Sequence, residues 1–189
     1  SYYDFLASEA RQASFVALAK KDIKYKHWVN LSRTLTSINN YKGLISWSGT
    51  AFEYLMPNLI INVPQGSLID ESCKFAKMSQ MEYAKQNEIP FGISESAYAI
   101  KDLQSNYQYK AFGIPWLGLK RGLEEELVVS PYSTFLFLEY GIDEGIKNLK
   151  KIEKYNMTGK YGFFDALDFT RERIKTPNKP EPVKTYMAH

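Results

Sequence analysis

The chain has 189 residues, 44% of them hydrophobic, which is enough to bury the core of one domain and argues against disorder. Its 24 Lys and Arg against 21 Asp and Glu give a formal charge of +3 without any basic run, so nucleic acid is not an expected partner. No apolar stretch reaches the ~20 residues that span a bilayer, and the single cysteine, Cys73, excludes an internal disulfide.

The first half of the chain predicts three helices. Residues 8–21 carry small and apolar residues at helical spacing and end in two lysines, as a helix C-terminus prefers. In SGTAFEYLMP, Thr50 and Glu53 stand three apart ahead of an apolar run, a capping-box pattern that predicts the start of a second helix. Residues 68–87 follow Ser67 and have acids in their first turn, so they predict the longest helix.

The second half predicts two more helices. Ser130 and Pro131 are typical of an N-cap and a first helical position, and Gly141 would end that helix. The segment DEGIKNLKKIEKY has acids first and lysines last, which suits the helix dipole. We expect residues 100–129 to be largely irregular and KTPNKPEPVK to be a Pro-rich loop or linker.

Strand signals are short. LVV (127–129) and LIINV (59–63) could pair locally, but strands and helices do not alternate along the chain. The sequence therefore predicts an all-α fold of helix pairs, with long loops at one end.

The common signatures of nucleotide, zinc and serine-hydrolase sites are missing. The chain has no Gly-rich phosphate loop and no CxxC, HExxH or GxSxG pattern. Its two histidines, His27 and His189, are too few and too far apart in sequence to predict a metal site or a triad. We therefore expect neither a metal nor a cofactor, and the chemistry that remains is that of carboxylates.

Two glutamates stand apart from the acids that lie among lysines. Glu9 follows a serine, and Glu95 lies between two serines in GISESAY. From spacing alone the better interpretation is structural: a serine caps a helix and the glutamate occupies its first turn. Glu53 has a sufficient role in its capping box. Asp165 and Asp168 in GFFDALDF read as first-turn helix acids, and a role in the site stays open for both.

Aromatic residues make up 15% of the chain, with 14 Tyr, 11 Phe and 3 Trp. Most of them should fill the core. Many, however, lie beside Gly, Ser and Asn in irregular stretches such as ISWSGTAFEY and SNYQYKAFGIPWLG. Flat apolar rings with polar neighbours suit a site for sugars or similar ligands.

Several long blocks resemble the glycoamylase-like domain of cyclic β-1,2-glucan synthases and, less closely, endo-β-1,2-glucanases. They include YYDFLASEARQASFVALAK, LISWSGTAFEYLMP, IPFGISESAYAIKDLQSNYQYKAFGIPWLGLKRGL, VVSPYSTFLFL and KTYMAH. The resemblance covers nearly all 189 residues and implies an (α/α)6 toroid, a ring of helical hairpins with a glucan cleft at one end. Because such a ring needs a longer chain, we expect residues 1–189 to be a fragment of this domain within a multidomain protein.

The resemblance also implies an activity. A glycosyltransferase region of the parent synthase would extend a linear β-1,2-glucan, this domain would cut the chain and rejoin it into a ring, and a phosphorylase-like region would follow. The expected partners are therefore β-1,2-glucan chains and these other regions. The expected location is the cytoplasmic side of an inner membrane, in a protein whose membrane spans lie outside this chain.

Cyclisation with retained β configuration needs a nucleophile and an acid/base. By its motif, Glu9 of SEAR is implied to be the nucleophile and Glu95 of GISESAY the acid/base, which could act through the neighbouring 3-hydroxyl of the sugar. Walls formed by Phe91 and Tyr98 would raise the pKa of Glu95 by removing water. Asp165 stands where the resemblance leads us to expect Glu, which puts a direct role there in doubt.

Seven residues are candidates for binding the sugar, although each also has a plausible packing role. The candidate stacking platforms are Trp47, Tyr98, Tyr107, Tyr109 and Trp116, and the candidate hydrogen-bonding residues are Arg11 and Glu53. Two alternatives to transglycosylation stay open: an inverting endo-β-1,2-glucanase and a glucan-binding module without catalysis.

Overall fold

A computed structural model of the protein describes residues 4–174 and 181–186, and in these ranges helices and small antiparallel sheets are mixed. The α-helices are α1 (Arg11–Ala19), α2 (Tyr25–Asn30), α3 (Ala51–Leu55), α4 (Leu68–Gln86), α5 (Pro131–Leu136) and α6 (Ile142–Glu153). Short 3-10 turns follow α3 and α5. The predicted all-α toroid is therefore wrong for this chain.

Nine strands within the described ranges form four antiparallel sheets. The strands are β1 (Leu35–Ile38), β2 (Tyr41–Leu44), β3 (Glu95–Lys101), β4 (Tyr107–Ala111), β5 (Val128–Val129), β6 (Thr158–Gly159), β7 (Gly162–Phe163), β8 (Ala166–Asp168) and β9 (Val183–Thr185). β1–β2, β3–β4 and β6–β7 are hairpins, while β8 lies between β5 and β9 in a three-stranded sheet. Most of these strands are too short to give a clear alternating pattern in the sequence.

The helix predictions that rested on capping residues are confirmed. α3 begins with a reciprocal capping box, in which Thr50 Oγ1 accepts from the Glu53 N–H at 3.1 Å and Glu53 Oε2 accepts from the Thr50 N–H at 3.1 Å. Ser67 caps α4 through its side chain. α5 begins at Pro131 as predicted, with Ser130 at the N-cap position, but the Ser130 side chain makes no capping hydrogen bond. Local side-chain to backbone bonds of this kind can be predicted from a few adjacent residues.

The first helix begins later than predicted, at Arg11. Ser8 Oγ accepts from the Ala10 N–H at 3.1 Å and thereby forms a turn ahead of the helix. Glu9 lies in this turn, so the interpretation of Glu9 as a first-turn acid of a serine-capped helix is wrong.

The segment after Gly92 contains the largest error in the predicted secondary structure. Glu95 begins β3 and does not lie in a helix, and residues 100–111 of the stretch predicted as irregular belong to the β3–β4 hairpin. At the tip of this hairpin, Asp102 Oδ1 accepts from the Gln104 and Asn106 N–H groups, both at 2.9 Å. This is an Asx-type turn, whose residues favour a chain reversal.

The two predicted short strands have opposite outcomes. LVV supplies β5, in which Val129 pairs with Leu167 of β8. LIINV does not form a strand: it contains the end of a 3-10 turn, and Leu59 and Ile60 are exposed there. Of the Pro-rich KTPNKPEPVK, residues 175–180 lie outside the described ranges, as does His189, and the remainder enters β9.

The core lies where α4 packs against the β1–β2 hairpin and α3. Gly43 in β2 allows this contact to be close, because a Cβ there would lie 2.4 Å from Cδ1 of Phe75 in α4. Tyr54 is buried in the core, and its hydroxyl is satisfied by the Leu44 carbonyl at 2.7 Å. Burying each large apolar side chain here contributes about 1.5–3 kcal/mol.

No helix within the described ranges is long and apolar enough to cross a membrane.

Candidate functional site

Three glutamates from distant parts of the sequence lie within electrostatic reach of one another. Glu9 is in the turn before α1, Glu53 in the first turn of α3, and Glu95 at the start of β3. Burial raises the pKa of both Glu53 and Glu95, and the negative charge of Glu9 raises the pKa of each further. The fold thus brings Glu9 and Glu95, the two predicted catalytic residues, into one cluster.

Glu95 is half-buried and contacts one phenol. Tyr109 lies on β4 opposite Ala97, on the same face of the hairpin as Glu95. Its hydroxyl donates to Glu95 Oε2 at 3.4 Å. Burial and the charges of Glu95 and Asp165 raise the pKa of Tyr109 to about 12, so the phenol keeps its proton at neutral pH. A carboxyl group whose pKa is raised and that accepts a hydrogen bond from one neighbouring phenol can act as a general acid.

Glu9 is held by the geometry of its turn. Ser8 Oγ lies 3.2 Å from Glu9 Oε2 and can donate to it. Behind the turn is Arg11, which is only 4% exposed and fixes the turn to α3. Its guanidinium donates to the Ser8 carbonyl at 3.1 Å, the Glu53 carbonyl at 2.9 Å and the Tyr54 carbonyl at 2.6 Å. Arg11 therefore fixes the position of Glu9 relative to α3. Its guanidinium N–H groups donate to oxygen atoms of the protein itself.

Glu53 organises the loop between β2 and α3. It is 5% exposed, and its carboxylate accepts from the Ser46 hydroxyl at 2.7 Å and from the Ser48 N–H at 3.0 Å, besides the capping bond from Thr50. Trp47 lies between these two serines and is 57% exposed. The buried carboxylate thus supports a loop that presents an indole ring to solvent.

A family model named Glycoamylase, with the description "Putative glucoamylase", matches residues 1–189. The chain belongs to this family. It is 40% identical over 187 residues to the cyclic beta-(1,2)-glucan synthase NdvB of Rhizobium meliloti (strain 1021). The match covers 99% of this chain but 7% of that protein. The resemblance predicted from the sequence blocks is confirmed.

Two solved structures share the fold. The chain resembles a "putative glucoamylase" from Bacteroides fragilis NCTC 9343 with a TM-score of 0.55 and 16% identity, covering 82% of this chain and 36% of that one. A "putative glucoamylase" from Bacteroides uniformis ATCC 8492 gives a TM-score of 0.50 and 16% identity, covering 75% and 35%. This glycoamylase-family chain thus spans about a third of the length of either structure.

The structure places Tyr98 away from the carboxylate cluster. Successive residues of a strand point to opposite faces, so Tyr98 faces away from Glu95. Its ring packs edge-on against Phe112, with the Arg173 guanidinium 4.7 Å from the ring centroid. Phe91 packs against Phe137 in the core. The expected wall of Phe91 and Tyr98 is therefore corrected: the ring that contacts Glu95 is Tyr109.

Two other predicted platforms make packing contacts. Trp116 meets Tyr83 of α4 edge-on, with ring centroids 5.4 Å apart. Tyr107 lies near the tip of the β3–β4 hairpin, 6.4 Å from the ring of Tyr186. Of the five predicted platforms in this glycoamylase-family chain, Tyr109 is the one that contacts Glu95, and Trp47 is the one on the loop that Glu53 holds.

The strand that carries Glu95 is anchored by two aspartates. Asp165 Oδ2 accepts from the Ala97 N–H at 2.7 Å, and Asp168 Oδ2 accepts from the Ala99 N–H at 2.9 Å. Asp168 lies in β8, and Asp165 directly precedes it, so the interpretation as first-turn helix acids is wrong. Both act on the backbone of β3, which fixes the direction of the Glu95 side chain.

Sequence reasoning missed two polar residues near the cluster. Tyr132 of α5 donates to Ser94 Oγ at 2.8 Å, and burial raises the pKa of this phenol. Lys120 donates from Nζ to the Ala111 carbonyl at 2.8 Å, beside the start of β3. Both residues lie inside blocks that carry the family resemblance, but no local pattern marks either as functional. Only the tertiary structure brings them to Glu95.

The described residues contain no group of three or more His, Cys, Asp or Glu that could hold a metal ion.

Proposed function

We propose that this chain carries the two catalytic carboxylates of a retaining transglycosylase that cuts and rejoins β-1,2-glucan, with Glu9 as nucleophile and Glu95 as acid/base. Membership of the Glycoamylase family supports a carbohydrate-related role, and the name of the NdvB relative supports a β-1,2-glucan as substrate. The observation that carries the proposal is that Glu9 lies within electrostatic reach of the half-buried Glu95, whose pKa is raised by burial and by the Glu9 charge.

In the first half of the reaction, a Glu9 carboxylate oxygen forms a bond to the anomeric carbon. The glycosidic bond breaks, and the departing 2-oxygen receives the proton of Glu95, directly or through the neighbouring 3-hydroxyl. The product is a glycosyl ester on Glu9 and an ionised Glu95. A raised pKa serves this step because Glu95 must hold its proton at neutral pH before it delivers it.

In the second half, the free 2-hydroxyl at the other end of the same glucan attacks the anomeric carbon that is bonded to Glu9. Ionised Glu95 takes the hydroxyl proton, the ester bond to Glu9 breaks, and Glu9 leaves as a carboxylate. Both groups return to their starting states, and the new glycosidic bond closes the ring. Attack by water would give hydrolysis instead, so positioning of the acceptor decides between the two products.

The surroundings of the carboxylates provide two groups for holding the chain. The exposed indole of Trp47 offers a flat apolar face for a sugar ring, and Tyr109 offers both a ring and a hydroxyl beside Glu95. Arg11 and Glu53 act behind this surface, because their polar atoms bond to protein groups.

The test is product analysis on linear β-1,2-glucan with a protein that contains the whole domain. Glu9→Gln and Glu95→Gln should each lower ring formation by about 10²–10⁴-fold, because each removes one of the reacting groups. Glu153→Gln, at the exposed end of α6, is the matched control and should keep wild-type activity. Full activity in either of the first two variants would contradict the assigned roles.

Product analysis, together with NMR of the new reducing end and calorimetry, separates the alternatives. An inverting endo-β-1,2-glucanase would release linear products whose new reducing end appears first as the α anomer by NMR. A non-catalytic module would bind the glucan in calorimetry, before and after both substitutions, without changing its length. Two predictions from the sequence stay predictions. One is that the other regions of a parent synthase are partners of this chain, and the other is a location on the cytoplasmic side of an inner membrane.

A further inference from the structure

We propose that Lys120 is a positioning residue whose positive charge stabilises the ionised form of Glu95 between the two halves of the reaction. This inference rests on the proposed function, since it assigns a task to the acid/base of that reaction. Lys120 lies in the segment GLKRGL between β4 and β5, where no sequence pattern points to a site.

The backbone and the ammonium group of Lys120 are both fixed beside the site. Its N–H donates to the Trp47 carbonyl at 2.9 Å, which joins it to the loop that Glu53 organises. Its Nζ donates to the Ala111 carbonyl at 2.8 Å. Ala111 is the residue of β4 that pairs directly with Glu95 of β3. The ammonium is therefore anchored at the strand position across from the proposed acid/base.

The charge of Lys120 is available to the cluster. No carboxylate lies within ion-pair distance of Lys120 in the part of the chain that the structure describes. The neighbouring Lys110, in contrast, forms an ion pair with Glu126. Burial and Lys110 lower the pKa of Lys120, whereas the charges of Glu126, Glu53 and Glu95 act in the opposite direction.

The groups that act on Glu95 form a balance. Burial and the Glu9 charge favour its neutral form, whereas the Tyr109 hydroxyl and the Lys120 charge favour its carboxylate. A retaining acid/base must pass through both forms in every cycle. Without Lys120, the neutral form would be favoured more strongly, so Glu95 would be a weaker acid in the first half and a smaller fraction of it would be ionised to accept a proton in the second half.

The decisive measurement is the titration of the Glu95 carboxyl carbon by ¹³C NMR, in the protein labelled at glutamate and assigned by the signal that Glu95→Gln lacks. Lys120→Met should raise the pKa of Glu95 by about half a unit to one unit, because one nearby positive charge is lost. Lys120→Arg should leave it near the wild-type value. Lys101→Met is the matched control, since Lys101 is exposed in the same hairpin and faces Tyr107.

Lys120→Gln guards against a folding artefact, because the amide can still donate toward Ala111 while the charge is gone. The proposal expects the same upward shift in Lys120→Gln as in Lys120→Met. An unchanged Glu95 titration in whichever of these two variants keeps a wild-type ¹H–¹⁵N spectrum would overturn it.

The result is also separable from the fate of the proposed function. If Glu95→Gln kept full activity, the catalytic assignment would fail, yet the NMR titration would still report whether Lys120 controls the ionisation of Glu95. If instead Glu95→Gln is inactive and the titration does not respond to Lys120, the catalytic assignment stands and the role given to Lys120 is wrong.

Discussion

Tyr109 and Glu95 meet across the β3–β4 hairpin, where the phenol donates a hydrogen bond to the carboxylate at 3.4 Å. The bond stabilises the ionised form of Glu95 and so lowers its pKa, against the larger upward effects of burial and of the Glu9 charge. The hairpin thus carries an acid together with one of the groups that control its ionisation.

Tyr109→Phe should therefore raise the pKa of Glu95. Since a general acid is active when protonated, the fall in activity at high pH should move to higher pH. Stability should change by less than about 0.5 kcal/mol because the side chain is 54% exposed. A pH profile of ring formation beside urea unfolding measures both, and an unchanged profile would remove Tyr109 from the site.

Glu53 is predicted to be a structural carboxylate whose loss affects the Trp47 loop. Glu53→Gln replaces one acceptor oxygen by an amide donor that faces the Ser46 hydroxyl and the backbone N–H groups, so unfolding should become easier by about 2 kcal/mol. Thr50→Ala should cost about 1 kcal/mol, since it removes only the N-cap. Urea denaturation followed by tryptophan fluorescence gives both values. Equal stability of Glu53→Gln and wild type would contradict the proposed role.

Trp47→Ala tests whether the exposed indole binds sugar. The ring is 57% exposed, so its removal should hardly change the free energy of unfolding. If a sugar stacks on it, KM for linear β-1,2-glucan should rise about tenfold while kcat changes less, because a uniform binding contact is lost. Val29→Ala is the control, because Val29 is an exposed apolar residue outside this loop, in α2. An unchanged KM would exclude Trp47 as a platform.

The parts of the fold that could be predicted from sequence are those fixed by neighbouring residues. The starts of α3 and α4 could be predicted from Thr50 with Glu53 and from Ser67 with the acids that follow it, because each cap bond closes within one turn. β8 has three residues and pairs with β5 and β9, so its existence depends on contacts between distant segments. Isolated triplets such as ALD carry no periodic signal.

The candidate site divides in the same way. Glu9 and Glu95 could be named only because whole blocks resembled a family, since spacing alone favoured a structural role for both. Lys120 could not be identified at all, because its relation to Glu95 arises from the pairing of Ala111 in a hairpin that the helix-based interpretation had missed. A residue whose role depends on tertiary pairing leaves no trace in local sequence.

Arg11→Met should destabilise the fold by about 2–4 kcal/mol, because it removes the guanidinium donor from the buried Glu53 carbonyl and leaves the Tyr54 carbonyl with the weak thiol donor of Cys73. The variant also releases the turn that holds Glu9. The kcat for ring formation should therefore fall even under conditions in which the variant is fully folded. Arg121→Met, at an exposed position, should stay within about 0.5 kcal/mol of wild type. A loss no larger than that of Arg121→Met would show that the guanidinium is dispensable.

The ion pairs of Glu126 predict how stability depends on pH. Burial alone would raise the pKa of this carboxyl, but hydrogen bonds and charges from Lys110 and Arg173 hold its pKa below the ordinary value of 4.5. A carboxyl whose folded-state pKa is lowered contributes stability that is complete above the unfolded-state pKa and is lost as the pH falls below about 4.5. Glu126→Gln should therefore be less stable than wild type at pH 7, and the difference should shrink toward pH 3. Glu124→Gln, on an exposed side chain two residues earlier, should track wild type at both pH values. Urea midpoints at the two pH values decide the matter: a difference that stays constant, or grows in acid, would mean that Glu126 does not stabilise the fold through its charge.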